Sequence, residues 1–227
     1  NKANIGLGVQ GVPNHPNPRN LFYKHIAIRA ELASSKVVEA GGGIVPTRRS
    51  LKTFVANGFV TIGDAALTAN PVHGGGMGAA LKSAYAAYMA ITEAFEMGDY
   101  SINGLWKTNV IYNKLYGAKQ ASLDLMRMFM QRLSNDDLEF VMRERIVTGE
   151  ELSATSSEGL LKYSIVEKGI KLFKLIRKPS LLSKLRLLAK YMSEVKALYD
   201  NYPKRPEGFE KWSNDVERAF SEFASIL

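Results

Sequence analysis

The 227-residue chain contains no cysteine, which excludes disulfide staples, thiolate-bound zinc, iron–sulfur clusters and thiol nucleophiles within it. Histidine is almost as scarce, at three residues. None of them stands at ligand spacing from a carboxylate along one helix face, so no metal site is expected. Long apolar runs are missing as well. The most apolar stretch, residues 159–176, is broken by Lys162, Glu167, Lys168, Lys171 and Lys174, whereas a membrane-spanning helix needs about 20 uninterrupted apolar residues. The opening Asn1-Lys2-Ala3-Asn4-Ile5-Gly6 has neither the basic start nor the apolar run of a signal peptide, and no Met begins it. It reads as a start inside a longer chain. No nucleophile elbow, phosphate-binding P-loop, internal repeat or low-complexity tract is present.

What is there is ordinary globular material, 46% hydrophobic and 23% charged, with a basic lean of +8. The lysines and arginines concentrate between Lys162 and Arg205, inside segments with helical apolar spacing. Charges opposite an apolar stripe are what a solvated helix face carries. They would also suit an anionic membrane surface if the apolar face were partly uncovered. Nucleic acid is not expected, because the aromatic and glycine patterns of single-strand binding modules are not interleaved with these charges.

The chain divides near residue 100. Before it, residues 3–10 read as a strand, the Pro13, Pro16 and Pro18 segment as a loop, and residues 21–33 as a helix. Asn57-Gly58 marks a tight turn, and Phe59 to Ile62, without polar alternation, reads as a strand buried on both faces. A long Ala-rich helix opens at Gly74 to Gly78 and stops at Gly98. Beyond it, helices are predicted at 102–133, 134–146, 149–154, 158–177, 181–200 and 206–225. Leu181, Leu185, Leu188, Met192, Val195 and Tyr199 form one stripe. Tyr85, Tyr88, Met89, Met126, Met128 and Met130 are expected to be core, although such residues would also suit a lipid channel.

Two glycine patterns compete for attention. Gly6-Leu7-Gly8-Val9-Gln10-Gly11 fits G-x-G-x-x-G, but the proline-rich loop that follows cannot be the helix whose N-terminus receives a pyrophosphate. Glycines that let another group approach the backbone are the better account of this hexapeptide. The stronger pattern is Val60-Thr61-Ile62-Gly63-Asp64-Ala65-Ala66, then Asn70-Pro71-Val72-His73-Gly74-Gly75-Gly76-Met77-Gly78. A carboxylate at a strand's end can accept hydrogen bonds from polyol hydroxyls. Glycines at a helix start expose backbone N–H groups and the positive end of the dipole to an electron-rich ligand edge. Ala79, Ala80, Ser83, Ala84, Ala86, Ala87 and Ala90 would let the helix lie close against a sheet. His73 stands beside this cradle and is read either as a donor to its ligand or as an incidental loop residue. His15 and His25 read as structural.

At Gly63-Asp64-Ala65-Ala66, Pro71 and Gly74 to Gly78 the chain resembles the second flavin-contacting segment of the glutathione-reductase-type FAD proteins, a superfamily that includes the aromatic hydroxylases. Within it the chain is most similar to the geranylgeranyl reductases, which saturate isoprenoid double bonds in archaeal-type membrane lipids. Gly43-Ile44-Val45-Pro46, Tyr199 to Pro203, Gly208-Phe209 and Trp212 extend the likeness over nearly the whole chain.

The resemblance implies an α/β and α+β fold: the C-terminal part of a Rossmann-like FAD-binding fold with a substrate-domain strand, then an all-helical region. It implies the end of a substrate-binding sheet at 1–50, the Gly-Asp strand and Gly-rich helix start at 51–100, and a helical domain at 101–227. FAD would be held by Gly63, Asp64, Pro71, Gly74, Gly75, Gly76 and Met77, with Asp64 on the ribityl hydroxyls and the amides of 75 to 77 toward the pyrimidine edge of the ring. Gly6, Gly8 and His73 would face an isoprenoid lipid. The family's first βαβ unit, which holds adenosine and pyrophosphate, would lie before Asn1, so the chain alone is expected to bind FAD weakly and to be inactive. No residue reads as the proton donor. A cytoplasmic enzyme with a peripheral membrane contact follows from this reading. Two rivals stay open: a flavin monooxygenase or halogenase sharing the same segments, and a flavin-free interaction module that uses its basic helices.

Overall fold

The computed structural model describes residues 2–11, 15–146 and 174–227. They fall into two units, Asn1–Ile44 and Val45–Leu227.

The first unit has no buried residue among those described. Its helix α1, Pro18–His25, begins three residues earlier than the apolar spacing suggests. Asn17 caps it by accepting a hydrogen bond from the Arg19 amide (2.8 Å), and Pro18 occupies the first helical turn, where its missing N–H costs nothing. The helix stops at His25, and the rest of the predicted 21–33 helix is reduced to a single 3₁₀ turn, Ala30–Leu32. The strand expected at 3–10 does not form: these residues are irregular and exposed, with no ladder partner for their backbone groups.

The second unit is mostly helical. Its sheet, among the described residues, is one hairpin: β1, Val55–Ala56, pairs antiparallel with β2, Phe59–Val60. The Asn57-Gly58 turn is present, with Gly58 at φ +66°. The strand is not buried on both faces, however, since Phe59 is 59% exposed and Ile62 43%. The absence of polar alternation there does not mean cover on two sides.

Helix α2, Met77–Met97, ends as predicted at Gly98, which takes the left-handed conformation at φ +67°. Its small face, Ala79, Ser83, Ala86, Ala87, Ala90 and Ala94, is buried. It packs on other helices and on the Gly63–Ala66 turn rather than on a sheet. The predicted 102–133 helix is present in pieces: α3 (Ile102–Leu105), α4 (Lys107–Tyr112), a π turn (Asn113–Gly117) and α5 (Ala118–Met130). Then come α6 (Asn135–Arg143), capped by Ser134, α7 (Pro179–Asp200) and α8 (Phe209–Ile226). The helices predicted at 149–154 and over most of 158–177 lie outside the described residues.

The core joins α5, α7 and α8. Leu181, Leu188, Met192, Val195 and Tyr199 of the predicted stripe are buried, with Leu185 partly so. Trp106, Tyr199, Tyr202, Phe209 and Trp212 pack with ring centroids 4.6–5.9 Å apart. The Trp106 and Trp212 indole N–H groups donate to the Pro203 and Leu198 carbonyls. Asp124 is fully buried and held by Arg49 (3.4 Å) and Arg127 (2.7 Å). Arg49 also reaches Glu217 and stands 3.9 Å from the Phe220 ring centre, tying the segment before the hairpin to α5 and α8. The hydrogen bond from Lys52, followed by the Arg49 and Lys52 charges, holds the Glu217 carboxyl below its usual range against a smaller desolvation effect.

Candidate functional site

The hairpin delivers the chain to Gly63, which opens the 3₁₀ turn Gly63–Ala66. Gly63 has φ +60°, a region that L side chains rarely adopt, and this is what requires glycine there. Its amide donates to Ser83 Oγ at 2.9 Å, and that hydroxyl donates to the Ala80 carbonyl at 2.7 Å. The turn is therefore fastened to the second turn of α2.

A second set of bonds closes the loop that follows. Asn70, buried, donates its amide to the Gly75 carbonyl (3.0 Å) and accepts the Gly74 amide on its own carbonyl (2.9 Å). Its side-chain oxygen accepts from the amides of Val72 (2.9 Å) and His73 (3.3 Å). Pro71 is buried inside this ring. Burial raises the Tyr116 hydroxyl pKa, and a hydrogen bond with the Asn70 side chain partly offsets the rise. Gln120, fully buried on α5, aims its amide nitrogen at the carbonyls of Arg48 (2.9 Å), Leu67 (2.7 Å) and Ala69 (3.2 Å) and accepts from the Tyr112 hydroxyl (2.6 Å).

The consequence is convergence. A Cβ built on Gly76 would stand 3.2 Å from Asp64 Oδ1, so the carboxylate reaches the start of α2 because residue 76 has no side chain. That helix start has no side-chain cap, which leaves its first N–H groups facing outward beside the acid. Asp64 and Met77 are exposed, Met77 at 86%. Gly75 differs from its neighbours: its amide already donates to His73 Nδ1 at 3.1 Å. Since Nδ1 accepts, the proton of the neutral imidazole sits on Nε2. An acceptor-only carboxylate and uncapped amides a few ångströms apart can hold a ligand that offers hydroxyls and an electron-rich edge side by side.

Thus Gly63, Asp64, Pro71, His73, Gly74, Gly75, Gly76 and Met77 form one locus. Gly6 and Gly8 belong to the first unit, in irregular exposed backbone. The sequence reading missed Asn70, Ser83, Tyr116 and Gln120 as organisers of the loop. Asn70 stands inside the quoted motif, and a polar residue followed by proline there is the one available signal. Gln120 looks like any helix-surface amide until the fold buries it.

One expectation about apolar residues is corrected. Tyr85 and Tyr88 are 53% and 64% exposed, and Met89 and Met130 are exposed too, so of the residues assigned to the core only Met126 is fully buried and Met128 partly. The Ala face of α2 fills the interior, which turns the tyrosines outward. Much of the apolar stripe of α7 is taken up by the core, with Leu182, Leu185 and Leu187 partly buried and Arg186 and Lys190 exposed; residues 162–173 of the basic segment lie outside the described residues. Among the described residues no helix is long and apolar enough to cross a membrane, and no cluster of three or more His, Asp or Glu could hold a metal ion.

No family model matches the chain. It is 44% identical over 228 residues to a protein named digeranylgeranylglycerophospholipid reductase from Sulfolobus acidocaldarius, a match covering 100% of this chain and 50% of that protein. Proteins of the same name from Methanothrix thermoacetophila and Methanospirillum hungatei are 31% and 29% identical over 72% and 70% of this chain, respectively 41% and 40% of their own lengths. Over its whole length the chain is therefore geranylgeranyl reductase-like, and it spans about half the length of these relatives or less.

Proposed function

We propose that this chain is part of an FAD-dependent reductase that saturates the isoprenoid double bonds of a glycerophospholipid, and that it supplies the C-terminal part of a Rossmann-like flavin fold. The observation that carries the reading is the meeting of Asp64 with the uncapped start of α2 across Gly76. The names of the relatives supply the substrate class.

The residues fit the cofactor. Asp64 is an exposed acceptor for ribityl hydroxyls, and Gly63, tied to Ser83, holds the backbone in place beneath it. The Gly76 and Met77 amides, with the dipole of a 21-residue helix behind them, suit an edge where negative charge accumulates. Pro71 fixes the floor of the loop. When bound, FAD supplies hydride chemistry for an alkene. This chain's residues bind and orient. His73, its Nδ1 occupied by the Gly75 amide, has Nε2–H free to donate toward ligand or substrate, while Gly75 itself is the least available of the three amides. Gly6 and Gly8 are assigned to contact with the isoprenoid substrate.

The test is the FAD dissociation constant of Asp64→Ala in the longest protein that contains this chain. Loss of a charged acceptor should weaken binding about tenfold or more. An unchanged constant rejects the assignment.

A further inference from the structure

Lys82 and Lys119 are gathered at one aromatic ring. Lys82 lies on α2 one residue before Ser83, and Lys119 on the first turn of α5. Each ammonium nitrogen is 5.0 Å from the centre of the Tyr116 ring, so the two are no more than about 10 Å apart. Neither has a carboxylate within ion-pair distance among the described residues. Lys119 is half-buried. Burial first, and the Lys82 charge second, lower its pKa.

The ring that gathers them is fixed, not incidental. Tyr116 is 6% exposed and set by the π turn Asn113–Gly117, where any side chain at 117 would collide with Asn113. π turns inside α-helices recur at functional sites. The Asn70 side chain acts on the Tyr116 hydroxyl, so the cation pair neighbours the loop that carries Pro71 and Gly75, yet it uses none of the residues assigned to the flavin.

We infer that Lys82 and Lys119 form an oxyanion site for a phosphate group, held against the Tyr116 ring beside the Asn70–Gly75 loop. Two ammonium groups supply up to six N–H donors and two charges to a tetrahedral oxyanion, and the Tyr116 ring beside them holds the ammonium groups when the anion is absent. The phosphate can be that of a glycerophospholipid headgroup or a free phosphate. The site does not depend on the flavin assignment.

The experiment is titration calorimetry of the full chain, without flavin, against inorganic phosphate and against a short-chain phosphatidic acid below its micellar concentration. Lys82→Met, Lys119→Met and Lys119→Arg are compared with the parent. Binding should weaken about tenfold in each Met variant, survive in Lys119→Arg, and fall with added salt. Tighter binding of the lipid than of phosphate identifies a headgroup site, and equal binding a phosphate site indifferent to the glyceride. Absence of binding by either probe, or binding that both Met variants retain while their thermal unfolding matches the parent, overturns the inference. Because no flavin or turnover is measured, failure here leaves the Asp64 result standing, and the reverse.

Discussion

Around Trp212, five aromatic side chains pack at 4.6–5.9 Å with their indole N–H groups satisfied. Asp64 itself is exposed. The loop there is closed by one buried asparagine, one buried glutamine and one serine hydroxyl, and the groups it displays face outward. The first region is stabilised by area removed from water. The second is held in shape by polar bonds that specify backbone positions to within a hydrogen-bond length. A site that must keep donors and acceptors open to a ligand cannot bury them, so its rigidity comes from behind, through Asn70 and Gln120.

The aromatic side of this contrast should break first in alkali. Burial raises the hydroxyl pKa of Tyr112, Tyr199 and Tyr202 above the ordinary value. With folded values raised, the contribution is intact below about pH 10, where both states are protonated. Above it the unfolded chain releases protons that the folded chain keeps, so stability falls by up to about 4 kcal/mol per pH unit for three groups. Urea midpoints between pH 8 and 11.5 would follow this, and a flat profile would show that the tyrosines are not buried as described. Trp212→Ala should cost about 3–5 kcal/mol by the same denaturation assay; a cost under 1 kcal/mol would remove the aromatic cluster from the core.

On the polar side, Gln120→Leu leaves carbonyls at 48, 67 and 69 without their shared donor. It should cost about 2–3 kcal/mol, with faster amide exchange confined to residues 67–76. Global loosening instead would make Gln120 a core residue and dissolve the contrast. The smallest effect is expected on the outer face of α2, where Met77, Leu81, Tyr85, Tyr88 and Phe95 are exposed. Leu81→Ser and Tyr88→Ser should each shift stability by no more than about 0.5 kcal/mol. A larger loss would mean that this face is covered.

What sequence reading recovered follows the same divide. The Ala-rich helix with its Gly98 stop, the Asn57-Gly58 turn and the α7 stripe are local patterns, and local patterns carry their own physical cause. Burial is not local. Phe59 and Ile62 of the expected strand and the tyrosines of α2 suit a core by type yet face outward, because a sequence states that a residue is apolar and not which neighbours exist to cover it. At the site, Gly63, Asp64 and the glycines before Met77 were legible as a motif. Gln120 was not, since its three carbonyl partners come from a segment more than fifty residues away. The Gly75–His73 bond was hidden too, because it depends on the orientation of one ring.

The central claim is that Asp64 and the first amides of α2 serve one ligand, and amide NMR tests it most directly. In the longest ¹⁵N-labelled protein containing this chain, titration with FAD should shift the Gly76 and Met77 amides along one saturation curve, and Asp64→Ala should move that curve to higher FAD concentration. Saturation with FAD that leaves both amides unmoved, or a curve indifferent to Asp64→Ala, would contradict it.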